Sequence, residues 1–119
     1  MKQVLVVEDN KENMYLIRYI LENSGFMVIE ARNGLGGIEL ALAKSPDLIL
    51  MDIQLPDING FDAVRRIRES AANGDIPIVA VTSYAMPGDR QKALDAGCNG
   101  YIEKPINPKT VITEIKRYL

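Results

Sequence analysis

The chain alternates between two hydrophobic patterns that differ in period. Short apolar runs rich in β-branched residues, which are typical of buried strands, occur at Val4–Val7, Met27–Ile29, Leu48–Met51, Ile76–Val81 and Tyr101–Ile102. Between and after these runs, apolar residues recur every three or four positions, as they do on one face of an amphipathic helix. The pattern therefore predicts five strand–helix units.

Each predicted helix has one apolar face, and polar or glycine residues mark its ends. The predicted faces are Met14, Ile17, Ile20 and Leu21; Leu35, Ile38, Ala41 and Leu42; Phe61, Val64 and Ile67; Arg90, Ala93, Leu94 and Gly97; and Val111, Ile112, Ile115 and Leu119. Predicted starts are Asn10 with Asn13, the strand-to-helix turn Asn33-Gly34, and Asn107 followed by Pro108 at the first helical position. Glycines predicted to end helices in the left-handed conformation are Gly25, Gly74 and Gly97.

Continuous apolar strands separated by helices predict a parallel sheet that is covered on both faces. Right-handed crossovers restrict its topology, and the first strand, hydrophobic on both faces, should be central. We predict an α/β three-layer sandwich of the flavodoxin-like (βα)5 type, with five strands in the order 2-1-3-4-5. In that order, ligands bind at the carboxyl ends of strands 1 and 3, where the winding direction switches.

Composition narrows the possible chemistry. With 119 residues, 47% of them hydrophobic and 25% charged, the chain is expected to form one globular domain over residues 1–119. A net charge of −2 argues against nucleic-acid binding, and no apolar stretch is long enough to span a membrane, so we expect a cytoplasmic protein. The chain has no histidine, which excludes Ser-His-Asp and Cys-His catalysis. Cys98 is the only cysteine, and we expect it to be buried as a small apolar residue.

Four of the five apolar runs lead into polar residues suited to phosphate chemistry. The residues are Glu8 and Asp9 after strand 1, Asp52 after strand 3, Thr82 and Ser83 after strand 4, and Glu103 and Lys104 after strand 5. Because parallel strands end at the same edge, these residues should converge. Two unit charges about 4 Å apart repel by roughly 4 kcal/mol at an effective dielectric near 20, so three carboxylates must separate, bind a proton or hold a cation. Oxygen ligands suit Mg²⁺.

Asp52 is then the candidate nucleophile, since a carboxylate can accept a phosphoryl group as an acyl phosphate. Lys104 supplies positive charge and Thr82 a hydroxyl for the phosphoryl oxygens. Simpler interpretations exist for single residues: Asp9 can be a helix cap, and Thr82 and Lys104 can be ordinary turn or surface residues. The combination of all these strand ends favours the phosphate site.

The motifs resemble those of response-regulator receiver domains across essentially the whole chain. They are Glu8-Asp9-Asn10, Met51-Asp52-Ile53-Gln54-Leu55-Pro56 with Gly60, Val81-Thr82-Ser83, and Lys104-Pro105. The stretches from Asp52 to Pro56 and from Thr82 through Tyr84 and Ala85 to Asp89 are similar to single-domain DivK-type regulators and to receivers of hybrid kinases.

The resemblance implies a role for each matching residue. Asp52 would be phosphorylated, Asp9 would bind Mg²⁺ directly, and the Gln54 backbone carbonyl would be a further ligand. Glu8 would contribute either through water or as a second acidic ligand, and Mn²⁺ could substitute for Mg²⁺. Phosphate binding and switching are implied for Thr82, Ser83, Lys104 and Tyr101, and the peptide bond before Pro105 would be cis. Tyr101 can also be a plain amphipathic surface residue.

The implied function is that of a non-enzyme signalling domain in a two-component phosphorelay. A sensor histidine kinase or a histidine phosphotransfer protein would donate the phosphoryl group, because this chain has no histidine. A downstream protein would bind the face formed by helix 4, strand 5 and helix 5. We expect a single-domain regulator, because the sequence opens at Met1, with a receiver excised from a larger protein as the alternative.

Four other interpretations agree less well with the sequence. A haloacid-dehalogenase-type phosphatase needs a second aspartate where Gln54 stands, and a flavodoxin needs a phosphate-binding loop where Glu8 and Asp9 would repel the phosphate. The segment Gly34-Leu35-Gly36-Gly37 has Glu39 in place of the third glycine of a dinucleotide-binding motif, and it follows strand 2. A degenerate, non-catalytic receiver remains an alternative that a Mg²⁺-dependent phosphorylation assay decides.

Overall fold

The computed structural model describes residues 1–70, 74–83 and 86–119. Its five strands are β1 (Gln3–Val7), β2 (Met27–Ala31), β3 (Leu48–Asp52), β4 (Ile78–Thr82) and β5 (Gly100–Glu103). Its helices are α1 (Lys11–Asn23), α2 (Gly34–Lys44), α3 (Gly60–Glu69), α4 (Asp89–Ala96) and α5 (Val111–Lys116). Tyr84 and Ala85, which belong to one predicted motif, lie outside the described residues.

All strand pairs are parallel and the sheet order is β2-β1-β3-β4-β5, which confirms the predicted fold. Alternate residues of the interior strands point to opposite sides of the sheet. Leu5, Ile49 and Ile78 belong to a buried cluster shared with α2, α3 and α4, whereas Val4 and Leu48 belong to a cluster shared with α1 and α5. Full burial of each such side chain stabilises the fold by about 1.5–3 kcal/mol. The strands therefore enter the carboxyl edge of the sheet from a core that is buried on both faces.

The predicted apolar faces of α2 and α4 were partly wrong. Leu35 and Leu42 of α2 are 52% and 46% exposed, and the buried side of this helix consists of Gly34, Gly37 and Ala41. The backbone of α2 lies so close to β1 that a Cβ atom at Gly37 would be 2.7 Å from the Val7 Cγ2 atom. Small residues therefore face the sheet.

The same correction applies to α4, which packs through Ala93 and Ala96 while Leu94 is 49% exposed. Cys98 is buried as expected and forms no disulfide.

Several predicted boundaries shift by a few residues. Strand β4 begins at Ile78, after Ile76 and Pro77, and α5 begins at Val111 with Thr110 as its N-cap residue. Asn107 instead organises the preceding turn, because its side chain accepts the Lys109 N–H and its carbonyl accepts those of Thr110 and Val111.

The predicted helix starts at Asn10 and Asn33 are confirmed, since each side chain accepts a backbone N–H of the first turn. Gly25 and Gly97 have φ values of +89° and +114°, as predicted for glycines that follow helices. Gly74 does not end α3, because this helix ends at Glu69 with Ser70 as its C-cap residue. None of the helices in the described part of the chain is both long and apolar enough to cross a membrane.

Candidate functional site

Three carboxylates meet at the carboxyl edge of the sheet. Val7 of β1 pairs with Met51 of β3, so the next residues, Glu8 and Asp52, are neighbours. Glu8, Asp9 and Asp52 each offer one carboxylate oxygen within 4.8 Å of the other two. Glu8 and Asp52 are 2% and 3% exposed, whereas Asp9 faces solvent. Residues far apart in the sequence thus form one acidic cluster with an open side.

Lys104 supplies the positive charge of the site. Its Nζ atom lies 2.9 Å from Glu8 Oε1, 3.0 Å from Glu8 Oε2 and 3.3 Å from Asp52 Oδ2. The Lys104 side chain is only 10% exposed. Removing Lys104 would leave two buried carboxylates without a compensating charge. Lys104 therefore holds the two buried carboxylates together across the sheet edge.

The surroundings of Asp52 favour its protonated form in the absence of a metal. Burial is the main cause, the neighbouring Glu8 carboxylate adds to it, and together they raise the pKa of Asp52 to about 7. The Lys104 ammonium and the Gln54 backbone N–H, which donates to Asp52 Oδ1 over 3.1 Å, act in the opposite direction. A cation at this cluster would favour the ionised carboxylate, which is the form a nucleophile needs.

Asp9 is not the N-cap of α1, which removes the simpler interpretation of this residue. The cap is Asn10, whose side-chain oxygen accepts the Asn13 N–H over 2.9 Å. Among the described residues, no hydrogen bond or ion pair engages the Asp9 carboxylate. Its oxygens are available to a cation at the acidic cluster.

The side chain of Gln54 crosses the site, which the sequence did not reveal. Gln54 Nε2 donates to Thr82 Oγ1 over 2.9 Å, and Gln54 Oε1 lies 3.5 Å from the backbone N–H of Ser83. Thr82 is 2% exposed, at the end of β4, whereas Ser83 is exposed. The Thr82 hydroxyl, which is predicted to bind phosphate, is therefore hydrogen-bonded to a residue of the loop that follows Asp52.

Two contacts fix that loop between β3 and α3. A Cβ atom at Gly60 would overlap the Asp52 carbonyl oxygen, so only glycine allows this approach of α3 to β3. At the other side of the loop, the Asp57 carboxylate accepts the N–H groups of Gly34 and Leu35 over 2.8 and 2.9 Å. These hydrogen bonds at the start of α2, first among them that from Leu35, lower the pKa of Asp57. No sequence signal distinguished Asp57 from an ordinary turn residue.

Tyr101 lies beside the site, on the strand next to Thr82. It pairs with Ala80, two residues before Thr82, so Tyr101 and Thr82 project from the same face of the sheet. The Tyr101 side chain is half-buried, and its hydroxyl is buried without a hydrogen-bond partner among the described residues. The peptide bond between Lys104 and Pro105 is cis.

The donor set fits a hard divalent cation. Carboxylate oxygens of Glu8, Asp9 and Asp52 converge without a nitrogen or sulfur ligand among the described residues. Mg²⁺ prefers such oxygen ligands and usually retains several waters, and the open side at Asp9 leaves room for them. The cluster can therefore hold Mg²⁺ next to Asp52.

Comparisons with known proteins agree on one family. The family model of the response regulator receiver domain matches residues 4–116. The polar-differentiation response regulator DivK of Brucella anthropi is 45% identical over 118 residues, which cover 99% of this chain and 96% of that protein.

Two solved structures are similar over nearly their whole length. The chemotaxis protein CheY4 of Vibrio cholerae is 28% identical with a TM-score of 0.94, covering 100% of this chain and 99% of that one. The receiver domain of the sensor histidine kinase PA1611 of Pseudomonas aeruginosa PAO1 is 34% identical with a TM-score of 0.91, covering 98% and 96%. That receiver carries a magnesium ion coordinated in its active-site cleft.

Proposed function

The chain belongs to the response regulator receiver family of two-component signalling, and from this membership we propose that Asp52 accepts a phosphoryl group. The donor is a phosphohistidine of a partner protein, and the reaction depends on Mg²⁺. We further propose that residues 1–119 form one receiver domain, which acts by changing its protein contacts and not as an enzyme on an external substrate.

The observation that carries the proposal is the position of Asp52 between two acids and a lysine. An oxygen of the Asp52 carboxylate attacks phosphorus, the P–N bond of the phosphohistidine breaks, and the imidazole nitrogen leaves with the bonding electrons. Lys104 Nζ is 3.3 Å from Asp52 Oδ2, so its charge lies where the transferred oxygens arrive. Thr82, buried beside the site, donates its hydroxyl to one of these oxygens.

Glu8, Asp9 and Asp52 would hold the cation, with the Gln54 backbone carbonyl as a further ligand. Bound Mg²⁺ supplies charge neutralisation for the phosphoryl oxygens and lowers the repulsion among the carboxylates. Mn²⁺, which also accepts carboxylate and carbonyl oxygens, can substitute for it. Glu8, whose two oxygens both contact Lys104 Nζ, would serve the ion either directly or through a water.

The absence of histidine and the net charge of the chain indicate which classes of partner it has. The phosphohistidine belongs to a sensor histidine kinase or a histidine phosphotransfer protein, because this chain contains no histidine. Movement of Thr82 toward the phosphoryl group would be accompanied by rotation of Tyr101 on the same face of the sheet. A downstream protein then binds the face of α4, β5 and α5, and the net charge of −2 favours a protein over nucleic acid at that face.

The decisive experiment is phosphorylation by acetyl phosphate with and without Mg²⁺, followed by intact-protein mass spectrometry. We expect one added phosphoryl group with Mg²⁺ and none in EDTA. Asp52→Asn should prevent the addition, while Asp62→Asn, a matched change at an exposed position of α3, should retain it. Equal labelling of the Asp52→Asn variant would refute Asp52 as the acceptor. A folded wild type that is never labelled would identify a degenerate receiver.

A further inference from the structure

The carboxylate of Glu8 is buried, and other side chains must hold it in position if it is to act as a metal ligand. Glutamate has one more rotatable bond than aspartate, so fixing its carboxylate costs more conformational entropy. The Glu8 side chain is 2% exposed, and its two oxygens must find donors inside the protein. How these donors are distributed decides which oxygen remains for a cation.

The two oxygens of Glu8 have different partners. Oε1 accepts from Asn13 Nδ2 over 2.9 Å and from Lys104 Nζ over 2.9 Å. Among the described residues, Oε2 accepts only from Lys104 Nζ, over 3.0 Å. If Lys104 Nζ moved away from Glu8, Oε2 would have no donor among the described residues, while Oε1 would keep the Asn13 amide. That amide is neutral, so it does not repel a cation as the ammonium does.

The start of α1 places Asn13 where it can make this contact. The Asn13 backbone N–H is bound by the Asn10 cap, which fixes the residue in the first turn of the helix. Helical side chains lean toward the N-terminus of their helix, and for Asn13 this direction leads back to the end of β1. The Asn13 side chain is half-buried, so solvent competes little for the amide.

We propose that Asn13 is a positioning residue for the metal site: it holds Glu8 Oε1 and thereby presents Oε2 to the cation. This inference rests on the proposed function, because it assumes that Glu8 serves Mg²⁺, directly or through water. Asn13 itself does not contact the ion. Residues that orient metal ligands in this way usually change metal affinity by one to two orders of magnitude when they are replaced.

The test is calorimetric titration of the full chain with Mg²⁺. Asn13→Ala should weaken Mg²⁺ binding roughly tenfold, and Asn13→Leu, whose side chain is branched like that of asparagine but has no hydrogen-bond donor, should do the same. Both variants keep the backbone N–H that the Asn10 cap binds, and alanine is a better helix former than asparagine. The matched control is Asn23→Ala, at the exposed end of the same helix, which should leave the affinity unchanged.

A double-mutant cycle separates positioning of Glu8 from a general structural effect. In a Glu8→Ala background, Asn13→Ala should cause no further loss of Mg²⁺ affinity. Unchanged affinity of both Asn13 variants, or the same tenfold loss without Glu8, would overturn the inference. If the wild type itself binds no Mg²⁺, the proposed metal site fails and this inference fails with it. If the wild type and the Asn13 variants bind equally, only the role of Asn13 is refuted.

Discussion

Replacing Asp52 with asparagine should stabilise the metal-free protein, increasingly so as pH rises. In the folded protein the pKa of Asp52 is raised to about 7, whereas an unfolded chain has an aspartate pKa of about 3.9. A raised carboxyl pKa means that ionisation is harder in the folded state. The wild type therefore loses stability through this group as pH rises from the unfolded pKa to the folded one.

The size of the effect follows from these two pKa values. Between pH 5 and pH 8, ionisation of Asp52 should lower the free energy of unfolding by about 3 kcal/mol. The asparagine variant cannot ionise at this position, so the difference between variant and wild type should grow by the same amount over that range. Binding of Mg²⁺ should restore much of the stability that the wild type loses.

Urea unfolding in EDTA at several pH values from 5 to 8 measures this difference. Asp57→Asn is the control, because the pKa shift of Asp57 is opposite to that of Asp52. Hydrogen bonds from the Leu35 and Gly34 N–H groups lower the pKa of Asp57. The stability that ionised Asp57 contributes is lost only as pH falls through that lowered pKa. Asp57→Asn should therefore lower the free energy of unfolding by the same amount at every pH between 5 and 8. A difference between Asp52→Asn and wild type that stays constant within about 0.5 kcal/mol across this range would refute the reasoning.

Two further predictions concern the metal and the switch. Asp9→Ala should weaken Mg²⁺ binding and acetyl-phosphate labelling together, because it removes an oxygen from the cluster; unchanged affinity in a calorimetric titration would exclude Asp9 as a ligand. Thr82→Ala should leave Asp52 phosphorylatable but uncouple it from residues 86–119, as seen in amide NMR spectra with and without beryllofluoride. Wild-type spectra whose changes remain confined to the metal site would show that the chain lacks the switch.

The sequence alone determined the fold and the meeting point of the polar residues. Five β-branched runs separated by helical periods leave few topologies open, because parallel crossovers are right-handed and both sheet faces must be covered. Once that order is given, residues at the carboxyl ends of β1 and β3 must be neighbours. The strand order therefore places Glu8, Asp9 and Asp52 at one point of the sheet edge.

Only the tertiary structure decided which side chains support the site. The sequence marks Asn13 only as part of a predicted helix start and gives no signal for Asp57, because short polar side chains bond locally in most contexts. Their actual partners, Glu8 and the start of α2, are set by distances between elements. Likewise, the link from Gln54 to Thr82 joins residues 28 positions apart, so no local pattern could encode it.

The choice of the buried face of α2 was also decided by the tertiary structure and not by the sequence pattern. Hydrophobicity predicted that Leu35 and Leu42 face the sheet, but the close approach of α2 to β1 admits only small residues such as Gly37 at the contact. The periodicity of apolar residues indicates that a helix has one face that is buried. Which face is buried depends on the space left by the neighbouring strand, because interiors are packed as densely as organic crystals. That space exists only after the chain has folded.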